Sequence, residues 1–376
     1  MTKNKLGNVV NIKTGKLDAN ASSPDGDYPF FTCSREPLKI SSYSYDSKCV
    51  LVAGNGDLNV KYYEGKFDAY QRTYIIESKD ETVLDTRYLY WFLFKYVEKL
   101  RELSIGGVIK YIKLNNLTDP LIPLPSLTDQ KHIVNILDKA NTLCDKRKQA
   151  FELLDEYLKS VFLKMFGETS PEYNSWKPVK FKELVKKSKG SMRTGPFGSD
   201  LLHSEFVDSG VAVIGIDNAV QNKFAWDQRR FITQEKYEKL RRYTLFPRDI
   251  IITIMGTVGR TAVIPKDIPL AINTKHLAAL TLDDHLANPY FISYSIHSNP
   301  LVVNQISHKG RGAIMTGLNL GIIKDLQINL PPVEKQNEFE LILKKTESLK
   351  QKMLAQSEEL EKQFQALMQK AFKGTL

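Results

Sequence analysis

Hydrophobic and polar positions along the chain fall into two rhythms, and each rhythm occurs twice. Between residues 126 and 167, Ile133, Ile136, Ala140, Leu143, Arg147, Ala150, Leu154, Tyr157 and Val161 alternate by three and four. That is the 3.5-residue period of a coiled-coil seam. Between 333 and 373 a looser version runs through Phe339, Ile342, Thr346, Leu349, Met353, Leu360 and Leu367, with Gln356 and Gln363 at core phases. Pro125-Ser126 opens the first helix: Ser126 can accept from the amide of Asp129, whose carboxylate suits the positive helix end. Pro331-Pro332 precede the second helix, and Gly167 and Gly374 supply the stops. A helix of about 40 residues spans roughly 60 Å and cannot stand in water with an apolar stripe exposed. The economical arrangement packs the two helices on each other, antiparallel. The alternative is that each covers its own domain.

The second rhythm is short apolar runs broken by glycine turns. Val50–Ala53 precedes Gly54-Asn55-Gly56, and Asp249–Ile254 precedes Gly256-Thr257-Val258-Gly259-Arg260. Polar loops follow, Tyr70-Gln71-Arg72 and Asn273-Thr274-Lys275-His276, then an aromatic helix, Arg87–Tyr96 or Pro289–His297. The two globular stretches therefore read as diverged copies of one fold. Residues 104–166 and 310–372 match without a gap at a constant offset, pairing Gly106 with Gly312, Leu114 with Leu320, Gln130 with Gln336 and Phe166 with Phe372. The predicted class is α+β: two globular domains joined by two long antiparallel coiled-coil helices, an internal pseudo-two-fold repeat. The expected boundaries are a domain over 1–125, a helix over 126–167, a linker over 168–178, a domain over 179–332 and a helix over 333–373.

Composition narrows the setting. The 376 residues are 42% hydrophobic and 26% charged, as expected of a globular protein. No apolar run approaches the 20 or so residues of a membrane span, and the first residues lack the apolar core of a secretory signal. Cys33, Cys49 and Cys144 are scattered and odd in number, which argues against a disulfide framework or cysteine-based zinc site and fits a reducing cytoplasm. Basic residues exceed acidic ones, 53 to 43, and the excess falls mostly between residues 168 and 330. A net charge of +10 favours a polyanionic partner.

The phrase Leu124-Pro125-Ser126-Leu127-Thr128-Asp129-Gln130, followed by Ile133-Val134 and Ile136-Leu137-Asp138, resembles the start of the long helix in specificity (S) subunits of type I restriction–modification systems. Leu330-Pro331-Pro332-Val333-Glu334-Lys335-Gln336 resembles the second such start, and Ser160–Gly167 the close of the first helix. The family order of target-recognition domain and helix, twice over, covers the chain. Lys344 stands at the match of Asp138 and Ala366 at that of Ser160, so the two helix surfaces are expected to be non-equivalent. The resemblance implies a non-catalytic subunit that binds double-stranded DNA, one domain per half of a bipartite target, with the helices setting the spacer. It implies two methyltransferase (M) subunits docked on the helices and restriction (R) subunits in the full complex. S-adenosylmethionine would then belong to the methyltransferase, ATP and Mg²⁺ to the nuclease, and no cofactor to this chain.

Residues that read bases are expected on loops between strands. In the first domain the candidates are Lys13, Lys16, Ser34, Arg35, Asn55, Lys61, Gln71, Arg72 and Lys110. In the second they are Lys189, Ser191, Arg193, Asn218, Arg260, Asn273, Lys275, His276, Lys309 and Arg311. Arg and Lys suit the guanine O6/N7 edge, and Asn and Gln the adenine N6/N7 edge. Most surface charges only contact phosphate or water. An enzyme alternative places Asp57, Glu64 and Lys66 in a Mg²⁺-dependent nuclease site. A third reading is a protein-binding scaffold. Asn288-Pro289-Tyr290-Phe291 resembles an amino-methyltransferase tetrapeptide but lacks its second proline, and reads better as the start of a helix. The six histidines show no metal-binding spacing, and no P-loop is present.

Overall fold

The computed structural model describes residues 3–226, 229–310 and 317–376, the side chains of 308–310 excepted. The chain divides into two compact units, Met1–Ala150 with Met353–Leu376, and Phe151–Lys352. The long helices Leu127–Phe166 and Val333–Lys373 both cross this division. Each unit thus holds one globular head and part of each long helix.

In the first unit the head is a six-stranded sheet, ordered Val10–Thr14, Thr73–Ser78, Tyr45–Ala53, Val60–Ala69, Tyr28–Phe31, Leu38–Ile40. The run from Cys49 to Ala53 is buried throughout, as suits a central strand rich in β-branched and apolar residues. Asp85 caps the helix Thr86–Leu103 by accepting from the Tyr88 amide at 2.9 Å. That helix lays Tyr88, Leu89, Trp91 and Leu93 in one core with Val50, Val52 and Ile76.

The second head repeats the first four strands in the same order: Met192–Thr194, Leu277–Leu280, Ile250–Thr253, Thr261–Val263. Register repeats as well. Ile76 pairs with Ile12 on one side and Val50 on the other, and Leu280 pairs with Met192 and Ile250. A three-stranded sheet, Phe231–Ile232, Val211–Ile214 and Ala271–Asn273, is separate. Asn288 caps the helix Pro289–Ser298 by accepting from Tyr290 and Phe291, which makes the Asn-Pro-Tyr-Phe sequence a helix start.

A two-stranded ribbon pins the chain just ahead of each long helix: Leu121–Pro123 on Lys3–Lys5, and Gln327–Asn329 on Pro178–Lys180. The stretch expected to be a plain linker is packed. Trp176 is buried beside Phe166, and Glu172 pairs with Lys335 at 2.9 Å.

Within each unit the two long helices share one core, and neither lies only against its own head. In the first unit Ile133, Leu137 and Cys144 join Phe364, Met368 and Ala371, while Phe364 meets Trp91 and Phe372 meets Tyr88. In the second, Phe162 stacks edge-on with Phe339, and Asp155 pairs with Lys350 at 2.6 Å. Advancing along one helix retreats along the other there, so the pairing is antiparallel.

The seam is one residue out of the expected phase at every second position. Buried or half-buried positions run Ile133, Leu137, Ala140, Cys144, Arg147, Phe151, Leu154, Leu158, and Phe339, Leu343, Thr346, Lys350, Met353, Ser357, Leu360, Phe364. Leu143, Tyr157 and Leu349 are exposed. Apolar residues stand at both candidate phases (Ile136 and Leu137, Ile342 and Leu343), and the bulky Leu158 and Phe364 decide for the later one. Ile136, Ile342, Val161 and Leu367 lie half-buried along its flank.

A buried glutamine fixes each helix to its head. Gln130 donates to the carbonyls of Val83 (2.8 Å) and Pro125 (3.1 Å), and its oxygen accepts from the Asp85 amide at 2.9 Å. Gln336 donates to Leu286 (3.3 Å) and Pro331 (2.8 Å) and accepts from Asn288 at 2.8 Å. Both side chains are sealed from water. Each joins the cap of the head helix to the first turn of the long helix. Replacing Gln130 or Gln336 by Ala leaves three partly or fully buried backbone groups without that partner, and a loss of about 2–4 kcal/mol is expected in urea unfolding. The exposed Gln365→Ala is expected to cost under about 0.5 kcal/mol.

Candidate nucleic-acid interface

In the first head, five loops converge where the central strands end, and backbone hydrogen bonds lock them together. The Gly54 amide donates to Arg72 O (2.7 Å), Gly56 to Lys110 O (2.9 Å), Ile112 to Gly54 O (2.9 Å) and Gln71 to Leu17 O (2.9 Å). Gly56 has φ +68°, a conformation that favours glycine. A Cβ on Gly15 would stand 2.1 Å from the carbonyl oxygen of Ala69, so only glycine lets these loops meet. The cluster gathers Lys16, Ser34, Arg35, Asn55, Lys61, Gln71, Arg72 and Lys110. Arg35 pairs with Asp57 at 2.9 Å, and that hydrogen bond holds the Asp57 carboxyl below its ordinary range. Gln71 donates to Asp18 at 2.8 Å. Lys61 bonds Asn59, and burial lowers its ammonium pKa. Ser34 shares a hydrogen bond with Thr32. Lys16, Arg72 and Lys110 are exposed.

The second head builds the corresponding cluster by the same bonds. The Ile254 amide donates to His276 O (2.9 Å) as Gly54 does to Arg72, and Leu318 donates to Ile254 O (3.1 Å) as Ile112 does to Gly54. Gly256 repeats the positive φ of Gly56 at +72°. A Cβ on Gly195 would stand 2.3 Å from Asn273 O, echoing Gly15. Gln71-Arg72 in one head and Lys275-His276 in the other thus occupy matching turns. Lys275 and Arg260 are exposed, and His276 is partly buried. Burial first, and the charge of Lys275 second, lower the His276 pKa.

Other candidates serve the fold. Arg193 is not on a reading loop surface: it is 8% exposed and pairs with the buried Asp249, donating also to Thr244 O (2.6 Å) and Thr281 Oγ1 (3.0 Å). Asn218 is buried, bridging the Gly215 amide and Ala225 O. Asn273 is buried on a strand and donates to Leu277 O at 2.9 Å. Ser191 is buried against Ser188. Lys13 lies on a strand, paired with Glu77 at 2.9 Å. Residue type alone marks these positions, and the sequence does not show which way a strand residue faces when apolar residues flank it on both sides. Lys189 is exposed beside the positive-φ Gly190. The Lys309 side chain, Arg311 and Gly312 lie outside the described residues.

The nuclease set does not assemble into a metal site. Asp57 is engaged by Arg35, Glu64 accepts from the Tyr62 hydroxyl at 3.0 Å, and Lys66 lies over the Tyr43 ring. Among the described residues no group of three His, Cys, Asp or Glu side chains is placed to hold a metal ion.

The long helices differ where they meet the heads. Asp138 accepts from Trp91 Nε1 (2.9 Å) and pairs with Arg87 (2.9 Å), whose guanidinium lies over the Tyr62 and Tyr90 rings. At the matching place Lys344 lies over the Tyr290 ring and pairs with Glu340. The sign of charge is reversed. No described helix is long and apolar enough to cross a membrane.

The family model for the type I restriction modification DNA specificity domain matches residues 1–152 and 173–362. The chain belongs to that family. It is 39% identical to the EcoDI specificity subunit of Escherichia coli over 176 residues, which is 46% of this chain and 39% of that protein. The similarity to the MjaVIII specificity subunit of Methanocaldococcus jannaschii is 22% over 399 aligned positions, covering 99% of this chain and 92% of that one. The crystal structure of a type I restriction-modification S subunit from M. genitalium aligns over 99% of this chain and 96% of its own, at TM-score 0.63 and 15% identity. A chain solved in work on complex assembly and conformational transition of the type I R-M system aligns at TM-score 0.62 and 16% identity. These two likenesses show a shared fold.

Because Arg193 is part of a buried ion pair, Arg193→Ala is expected to lower stability by about 3–5 kcal/mol, since the buried Asp249 loses its counter-charge and keeps only the Thr281 hydroxyl and the Phe246 amide as donors. Arg260→Ala is expected to leave the unfolding midpoint unchanged within about 0.5 kcal/mol.

Proposed function

We propose that this chain reads the DNA target of a type I restriction–modification complex and carries no catalytic centre of its own. Each head contacts one half of a bipartite site. The observation that carries this reading is the duplicated loop cluster. The same backbone bonds, glycine turn and close glycine contact recur in both heads, while the exposed side chains differ. A fixed scaffold with variable polar tips suits two reading heads with different sequences to read.

In the first head, Gln71, Arg72 and Lys110 are the base readers we assign, with Lys16, Arg35, Asn55 and Lys61 positioning the backbone. In the second, Arg260, Lys275 and His276 read, and Lys189 contacts phosphate. The long helices set the distance between half-sites, since about 40 residues at 1.5 Å each give some 60 Å of rigid length. Their non-equivalent surfaces, Asp138 on one and Lys344 on the other, dock two methyltransferase subunits. Restriction subunits complete the assembly in the cytoplasm. S-adenosylmethionine is held by the methyltransferase, and ATP and Mg²⁺ by the nuclease.

Selection from a randomised duplex pool by the complex reconstituted with its methyltransferase tests this. A two-part motif with a fixed gap is expected. Arg72→Ala should relax bases in one half only, and Arg260→Ala in the other, each costing about 1–3 kcal/mol at the base concerned. An ungapped motif, or a single variant that relaxes both halves, contradicts the proposal.

A further inference from the structure

One feature of the first head serves neither its core nor its charge. Residues 104–113 form a hairpin closed by two backbone bonds, Ile105 N to Tyr111 O (3.0 Å) and Tyr111 N to Ile105 O (2.8 Å). Its base is tied to the loop cluster through Gly56 N to Lys110 O and Ile112 N to Gly54 O. Gly106, at φ +117°, shapes the tip, and a Cβ there would stand 2.6 Å from Ile109 O. The tip carries Val108, fully exposed at 104%, and Ile109, exposed at 62%. Two bare aliphatic side chains on a braced loop are costly in water, and their flanks are cationic, with Lys110 and Lys113 exposed. The tip belongs to the same cluster as Arg35 and Arg72. Ile314 and Met315, which lie outside the described residues, match Val108 and Ile109 in the sequence repeat.

We infer that Val108 and Ile109 form an apolar wedge that inserts at a base step of the half-site read by the first head, with Lys113 on an adjoining phosphate. The inference rests on the DNA-reading assignment above. Aliphatic side chains braced on a loop can unstack a base step, and the cost of unstacking depends on the step, so the wedge selects flexible pyrimidine–purine steps. Such selection needs no hydrogen bond to a base edge.

The test uses the full chain in its methyltransferase complex and the duplex that complex selects, with 2-aminopurine placed in turn along the first half-site. Binding should raise fluorescence several-fold at one step. Val108→Ala with Ile109→Ala should abolish that rise and weaken binding about tenfold, the size of effect expected when a wedge contact worth a little over 1 kcal/mol is lost. The salt dependence of binding should stay the same, because no cation is removed. Tight binding by the unaltered complex with no fluorescence change at any step overturns the wedge and leaves the reading assignment standing. Failure of the double variant to assemble with the methyltransferase also overturns it, showing that a protein partner covers the tip. Absence of any sequence-specific binding by the unaltered complex defeats the reading assignment itself, and the wedge with it.

Discussion

A side-chain amide sealed in an apolar core has to find partners for both its hydrogens and its oxygen, and Gln130 and Gln336 find them in the same three places. One donor holds the loop before the head helix, and the other holds a proline two residues beyond the incoming strand. The oxygen holds the cap of the head helix. The direction in which each long helix leaves its head is therefore set by a buried polar joint as well as by packing. Apolar contacts alone tolerate sliding, and unpaired buried amides do not. The ribbon ahead of each helix and the aromatic rings of Phe162, Phe166 and Phe339, or of Trp91 and Phe364, stiffen that joint.

Much of this was legible in the sequence, for reasons that can be named. The helices were visible because proline, serine and glycine punctuate them and apolar residues recur for 40 positions. Ser126 caps as its type suggests: the Asp129 amide donates to its hydroxyl at 3.2 Å. The seam's phase was not legible, because Ile136 and Leu137, or Ile342 and Leu343, are equally apolar. Only packing against the partner helix and head selects one of each pair. The glutamine joints were visible as a repeat match but not as contacts, since two of the three partners of each are backbone groups 45 to 50 residues distant.

The candidate reading residues divide along a similar line. Lys110 and Arg260 stand by glycine turns, Arg72 and Lys275 stand on short polar loops, and all four remain exposed. Arg193, Asn218 and Asn273 have the residue types that suit base edges, yet they satisfy Asp249 and loop carbonyls inside the second head. Residue type shows what a side chain can bond, and only the fold shows what has already bonded it. The exposed Val108–Ile109 tip is the converse case: its aliphatic type suggests a core, and its braced hairpin places it in solvent.

The proposed ruler is the pair of long helices, each fixed to its head by a buried glutamine. Deleting one heptad from the middle of each long helix shortens the pair by about 10.5 Å, the rise of roughly three base pairs. Sequencing methylated adenines in cells that carry the shortened chain reads the outcome directly. A gap about three base pairs shorter between two unaltered half-sites is expected. An unchanged gap, or a changed half-site, would contradict it.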